Sequence, residues 1–130
     1  MDFRLISAAL FSAAIVSGCV TAEQRTQIYS SAIAPSAGIK TAVINQIRES
    51  YFDPYSIRDA QISDVVTLLD TGYQAVCTRF NAKNRMGAYT GLQSASFRIK
   101  NGAVVSYLAQ APGCHEPSLR YRPFPELESL

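Results

Sequence analysis

Asn101-Gly102 sits between two runs in which apolar and polar residues alternate, and no other short stretch restricts the fold of this chain so narrowly. Both residues accept the positive φ that a two-residue type I′ turn demands, so the dipeptide predicts a tight hairpin. One strand ends at Lys100 and the next begins at Ala103. A two-residue loop also sets the register: Ile99 opposite Val104, Phe97 opposite Ser106 and Ala95 opposite Leu108. That face is apolar, and Arg98 and Lys100 lie on the other.

Working back from this hairpin, the third strand is expected from about Ala88 to Lys100 and the fourth from Ala103 to Ala109. Tyr73 to Phe80, rich in β-branched and aromatic residues, reads as the second strand. Its inward face is either Val76 with Phe80 or Tyr73, Ala75 and Cys77, and a bridge through Cys77 favours the latter. Ala60, Ile62, Val66 and Leu68 alternate with Gln61, Ser63 and Thr67, which predicts the first strand, ended by the turn Asp70-Thr71-Gly72. Ahead of it, Ile39, Val43 and Ile47 recur every four residues, with Ile44 and Tyr51 widening the stripe, so this stretch is an amphipathic helix. Asp53-Pro54 ends it, because a residue before proline is pushed out of the helical region. The expected class is therefore α+β: one amphipathic helix packed on a four-stranded antiparallel meander. Residues 39–115 form that domain. Residues 19–38, small and polar, are a tether with a helical stretch between Ala22 and Ala34, and residues 116–130, with three prolines from Pro117 on, an extended tail.

With 130 residues, 48% hydrophobic, and a net charge of +2, the chain has the composition of one globular domain rather than a disordered or nucleic-acid-coating polymer. The apolar run Leu5 to Val16, preceded by Arg4 and followed by small residues, has the layout of a signal peptide. At 12 residues it falls short of the ~20 that span a bilayer. Val16-Ser17-Gly18-Cys19 resembles the bacterial lipobox, which implies that residues 1–18 are removed and that Cys19 is acylated. Two or more acyl chains hold a protein stably on a membrane, so the domain is expected to be tethered and not inserted. By resemblance to lipoprotein sorting, the absence of aspartate at Val20 implies the outer membrane, with the domain facing the periplasm.

Setting Cys19 aside leaves Cys77 and Cys114, an even pair in an oxidising compartment, where a disulfide is the default. A metal site is the weaker alternative: His115, the sole histidine, stands directly beside Cys114, and too few further ligands exist. No cofactor is expected.

"FNAKNRMGAYTGL", Phe80 to Leu92, reads first as a longer hairpin loop, since Asn81 and Asn84 tolerate left-handed backbone and Gly87 adopts it freely. Its functional reading makes Lys83 and Arg85 an anion or glycan contact beside Tyr89, so the candidate binding residues are Asn81, Lys83, Asn84, Arg85 and Tyr89. The segments Asp53-Pro54-Tyr55-Ser56 with Arg58, Val76-Cys77, Asn81-Ala82-Lys83-Asn84, and Gly87, Tyr89, Thr90 and Gly91 resemble a group of small bacterial envelope proteins. Many of these are lipoproteins that share DPxS and NAKNxxGxYTG segments around a half-cystine. The resemblance covers roughly Ile39 to Lys100, implies an envelope location and supplies no mechanism. Thr78 departs from it, standing where that group has glycine.

Nucleophilic catalysis wants a serine or cysteine, a histidine and an orienting acid. His115 is the only candidate base, and Asp53, Asp59, Asp64 and Asp70 are spaced as strand and turn surface rather than as a carboxylate pair. No catalytic or metal-ligating residue is assigned. The expected function is a lipid-anchored, non-enzymatic envelope protein that binds another envelope protein or a glycan, and not nucleic acid. The alternative is an inhibitor or modulator of a periplasmic hydrolase such as a lysozyme or protease. A rigid, protruding Asn81–Met86 loop would favour inhibition, whereas a flat sheet face with Ser96, Arg98 and Lys100 would favour a protein or glycan partner.

Overall fold

The stripe Ile39, Val43, Ile47 does form one face of a helix, and all three side chains are buried. The helix starts where the Ser36 hydroxyl accepts the Ile39 N–H at 3.2 Å, which satisfies one of the donors that a helix N-terminus leaves unpaired. The computed structural model describes residues 19–130, so the expected signal segment lies outside the described residues. In chain order the elements are α1 (Ala22–Ser30), α2 (Ala37–Ser50), β1 (Arg58–Ser63), β2 (Val66–Thr67), β3 (Gln74–Asn81), β4 (Gln93–Lys100), β5 (Ala103–Ala109), β6 (Tyr121–Pro123) and the single turn α3 (Pro125–Glu128).

The fold is α+β, with a six-stranded antiparallel sheet in the order β5-β4-β3-β1-β6, β2 pairing with β3 beside β1. Six strands replace the expected four, and α1 joins α2. The expected first strand divides into β1 and β2 because the chain turns aside at Asp64 and Val65. There Asp64 N–H bonds the Arg120 carbonyl, and Val65 pairs with Ile33. The Ser63 hydroxyl fills the gap, accepting Cys77 N–H at 2.8 Å.

Asn101 and Gly102 both have positive φ, 51° and 77°, as the type I′ turn requires. Ile99 pairs with Val104 as expected, but Phe97 pairs with Tyr107 and Ala95 with Ala109. The register shifts between Ile99 and Arg98, where β5 holds the extra residue Val105, a bulge that periodicity does not reveal. Its consequence is that the exposed Tyr107 stacks on the buried Phe97, ring centroids 5.9 Å apart.

The strand β3 is buried on both faces, which corrects the expectation that Cys77 shares the main core. Val76 and Phe80 pack with α2, Phe97, Ile99, Ile62 and Phe124 in one cluster. Cys77 points to the opposite face, into a second cluster with Ala111 and Cys114, flanked by Leu119 and Tyr121. A disulfide joins Cys77 to Cys114 with Cα atoms 5.6 Å apart.

The last fifteen residues are not an extended tail. β6 pairs with β1, the Phe124 N–H bonds the Ala60 carbonyl at 2.8 Å, and a Glu128 carboxylate oxygen accepts the Ala60 N–H at 2.7 Å. Phe124 and Leu127 are fully buried. Nor do residues 19–38 form a free tether. A capping box at Thr21 starts α1, the Ser31 hydroxyl accepts Thr67 N–H at 3.0 Å, and Pro35 is buried. Prolines and the lack of a helical period hid the first segment, and small polar residues the second; both are held by partners distant in sequence.

Candidate functional site

The connection from β3 to β4 is a narrow hairpin tied by its own asparagines. Lys83 pairs with Tyr89 across it, and Asn84 N–H bonds the Ala88 carbonyl at 3.0 Å. The Asn84 side-chain oxygen accepts the N–H groups of Met86 at 2.9 Å and Ala88 at 3.2 Å, an Asx turn that closes the tip. Gly87, at φ 75°, completes the reversal. At the base, the buried Asn81 uses its side-chain oxygen to accept Gly91 N–H at 3.2 Å.

The hairpin is docked against the turn that follows α2, which joins the two segments singled out in the sequence. The Ser56 hydroxyl donates to the Asp53 carbonyl at 2.7 Å and accepts Lys83 N–H at 2.8 Å. The Tyr89 phenol donates to the Ser56 carbonyl at 2.6 Å. Pro54 is buried beneath. Each of these bonds is worth about 1 kcal/mol net, and together they hold the loop to the sheet.

What remains outward is charge and ring. The Arg58 guanidinium lies 3.7 Å from the Tyr89 ring centroid, the Lys83 ammonium 5.6 Å from the same ring, and the Arg85 guanidinium 5.4 Å from the Phe52 ring. Such cation–ring contacts are worth about 0.5–1 kcal/mol each at exposed positions. They hold long side chains in place without neutralising them. Among the described residues only Asp59 offsets this group closely, 3.9 Å from Arg58. Asp59 has φ 55° and occupies a bulge in β1, between the Arg58–Asn81 and Gln61–Arg79 pairs. Phe52, Tyr55 and Met86 are 63%, 69% and 91% exposed, an apolar surface amid the cations.

Of the five candidate residues, Asn81 and Asn84 serve the loop's own backbone, and Tyr89 is half-buried as the platform. Lys83 and Arg85 alone present free charge. Sequence reasoning missed Arg58 and Phe52 as members of the same surface, with the exposed Tyr55 next to Ser56 in the chain. The DPxS segment was the available signal, but nothing in a linear reading shows that Ser56 meets residues 27 and 33 positions later.

At the other face, the disulfide corner is held by its own polar contacts. Arg79 and the Tyr121 phenol both donate to the Cys114 carbonyl, at 2.8 and 2.7 Å, and the Arg79 guanidinium stacks 3.7 Å from the Tyr121 ring centroid. Burial pushes the Tyr121 phenol above its ordinary pKa, against the opposing pull of Arg79. Arg122 pairs with Asp64 nearby. Thr78, the departure from the resembled pattern, is fully buried, and its hydroxyl has no partner among the described residues. His115 approaches the buried Ser94 hydroxyl at 3.5 Å, at the limit of a hydrogen bond.

Among the described residues no three His, Cys, Asp or Glu side chains converge as metal ligands, and no helix is long and apolar enough to cross a membrane. No protein-family model, curated protein or solved structure matches this chain.

Proposed function

We propose that this chain is a lipid-anchored, non-enzymatic envelope protein that binds another envelope component, protein or glycan, through the surface built by Arg58, Lys83 and Arg85 with Phe52, Tyr55 and Tyr89. One observation carries the reading. The loop's asparagines, with Ser56, satisfy backbone groups of the loop internally, so Lys83 and Arg85, which have no carboxylate partner among the described residues, can meet a ligand. A pre-tied loop also binds at lower cost, because little freedom is left to lose. Anchoring through Cys19 would keep this surface in the envelope, as the lipobox resemblance implies.

The test is capture in intact cells. A photo-crosslinker at Met86, which is 91% exposed, should trap the partner. The double variant Lys83→Ala/Arg85→Ala should change stability by less than about 0.5 kcal/mol, as exposed substitutions do, yet capture several-fold less. Full capture by a folded double variant would retire the site. Incubation with isolated cell-wall sacculi separates a glycan partner from a protein one.

A second reading, the inhibitor or modulator of a hydrolase, is favoured by the rigid tip that presents Arg85 and Met86. It predicts that the purified chain lowers the activity of a lysozyme or protease in stoichiometric titration, and that the double variant does not.

A further inference from the structure

The second face of the sheet is not flat. A cavity of about 310 Å³ opens beside β5, lined by Leu68, Ala75, Ser96, Arg98, Leu108 and Gly113. A smaller one of about 150 Å³ adjoins it under α1, bounded by Ile28, Tyr29 and Leu119. Leu68, Ala75, Ser96 and Gly113 line both, so the two make one furrow. Its floor is β3 and β4, where Ala75 and Ser96 leave room that larger side chains would fill. The disulfide makes one wall by pinning the Pro112–His115 turn against β3, and α1 makes the other end.

We propose that this furrow is a binding site for an anionic amphiphile, an acyl chain with a carboxylate head, and that Arg98 receives the head. The lining is chiefly aliphatic and small, suited to a chain. Charge complementarity specifies the head. Among the described residues Arg98 is the one arginine that lines the furrow, and it has no ion pair and no side-chain hydrogen bond, so its guanidinium is open to a head group. A planar guanidinium meets a carboxylate through two parallel hydrogen bonds. Lys100 lies on the same face but is drawn toward Tyr73, 5.4 Å from its ring centroid, and is absent from the furrow. A largely aliphatic furrow with a few hydroxyls and one charged side chain, Arg98, has the usual form of a small-ligand site, and its volume is at the lower end for such sites. The inference does not depend on the Arg58–Lys83–Arg85 surface, which is built from the β3–β4 loop and the segment that leads into β1.

Calorimetric titration of the full chain carrying Cys19→Ser, which removes the acylation site, with laurate and with dodecanol tests it. Laurate should bind saturably at one per chain and about tenfold tighter than the uncharged alcohol. Arg98→Gln should abolish that preference, weakening laurate alone, while Lys100→Gln should leave it intact. Ser96→Phe, filling the furrow, should weaken both ligands. Its thermal melt establishes folding, and if it does not fold, the Arg98 arm decides. Absence of laurate binding at about 1 mM, equal affinity for the two ligands, or an unchanged Arg98→Gln variant would overturn the site.

Discussion

Ser56 ties the candidate surface to the fold, since its hydroxyl and carbonyl between them engage Asp53, Lys83 and Tyr89. Ser56→Ala leaves the Lys83 N–H without its acceptor, and we expect a loss of about 1–2 kcal/mol in urea unfolding. Tyr89→Phe should cost about 1 kcal/mol and leave the ring under Arg58 in place. If Ser56→Ala weakens capture as well, the loop's position matters to binding as it does to stability. Tyr51 behaves differently. Its ring packs edge-on against Phe80 at 4.8 Å, but its buried hydroxyl has no partner among the described residues. Burial, with a smaller contribution from Tyr107, pushes its pKa up from 10.0 to about 12. The unfolded chain therefore ionises first as pH rises, so this tyrosine's contribution is intact below pH 10.0 and is lost between 10.0 and about 12. Tyr51→Phe should remove that part of the alkaline loss without destabilising the protein at neutral pH, as urea midpoints across this range would show.

At the scale of elements, two distant closures hold the sheet. The disulfide spans 37 residues, and the double variant Cys77→Ala/Cys114→Ala should lower stability by about 2–4 kcal/mol, chiefly by freeing the unfolded chain. It should also loosen the Pro112–His115 turn, read as faster amide exchange there than in β3. The C-terminal segment is the second closure. Phe124 and Leu127 complete the main core, and β6 covers the outer side of β1. Phe124→Ala should cost about 3–5 kcal/mol by thermal or urea unfolding. An extended tail would have predicted almost none. That segment was illegible because its apolar residues, Tyr121, Phe124 and Leu127, follow no single period: they belong to a short strand, a corner and one helical turn in succession. The helix α2 shows the opposite case, with four-residue spacing sustained over three buried positions.

For the whole molecule, the short distance from Cys19 to α1 matters most. Thr21 already caps the helix, and the following chain is bonded to β2 and Val65, so few residues remain as a flexible leash. If Cys19 is acylated as proposed, the domain rides close to the bilayer. Cells fed a fatty-acid probe should label the protein, and Cys19→Ser should lose both the label and membrane association. By resemblance to lipoprotein sorting, the labelled protein should fractionate with the outer membrane; recovery in the inner membrane would refute that sorting.

Local patterns were enough to place the Asn101-Gly102 hairpin, the buried stripe of α2 and the Cys77–Cys114 pair, because each depends on neighbours in the chain or on a simple count. Only the tertiary structure decided which face of β3 Cys77 takes, where the β5 bulge falls, and that residues 116–130 complete the core. The physical reason is shared. Each outcome depends on which distant segment covers a given surface, as Cys114 covers Cys77 and Phe124 covers β1. Side-chain alternation distinguishes the two faces of a strand without stating which is covered, or by what. The meeting of Ser56 with Lys83 and Tyr89 is of the same kind, and it turns two separate sequence segments into one surface.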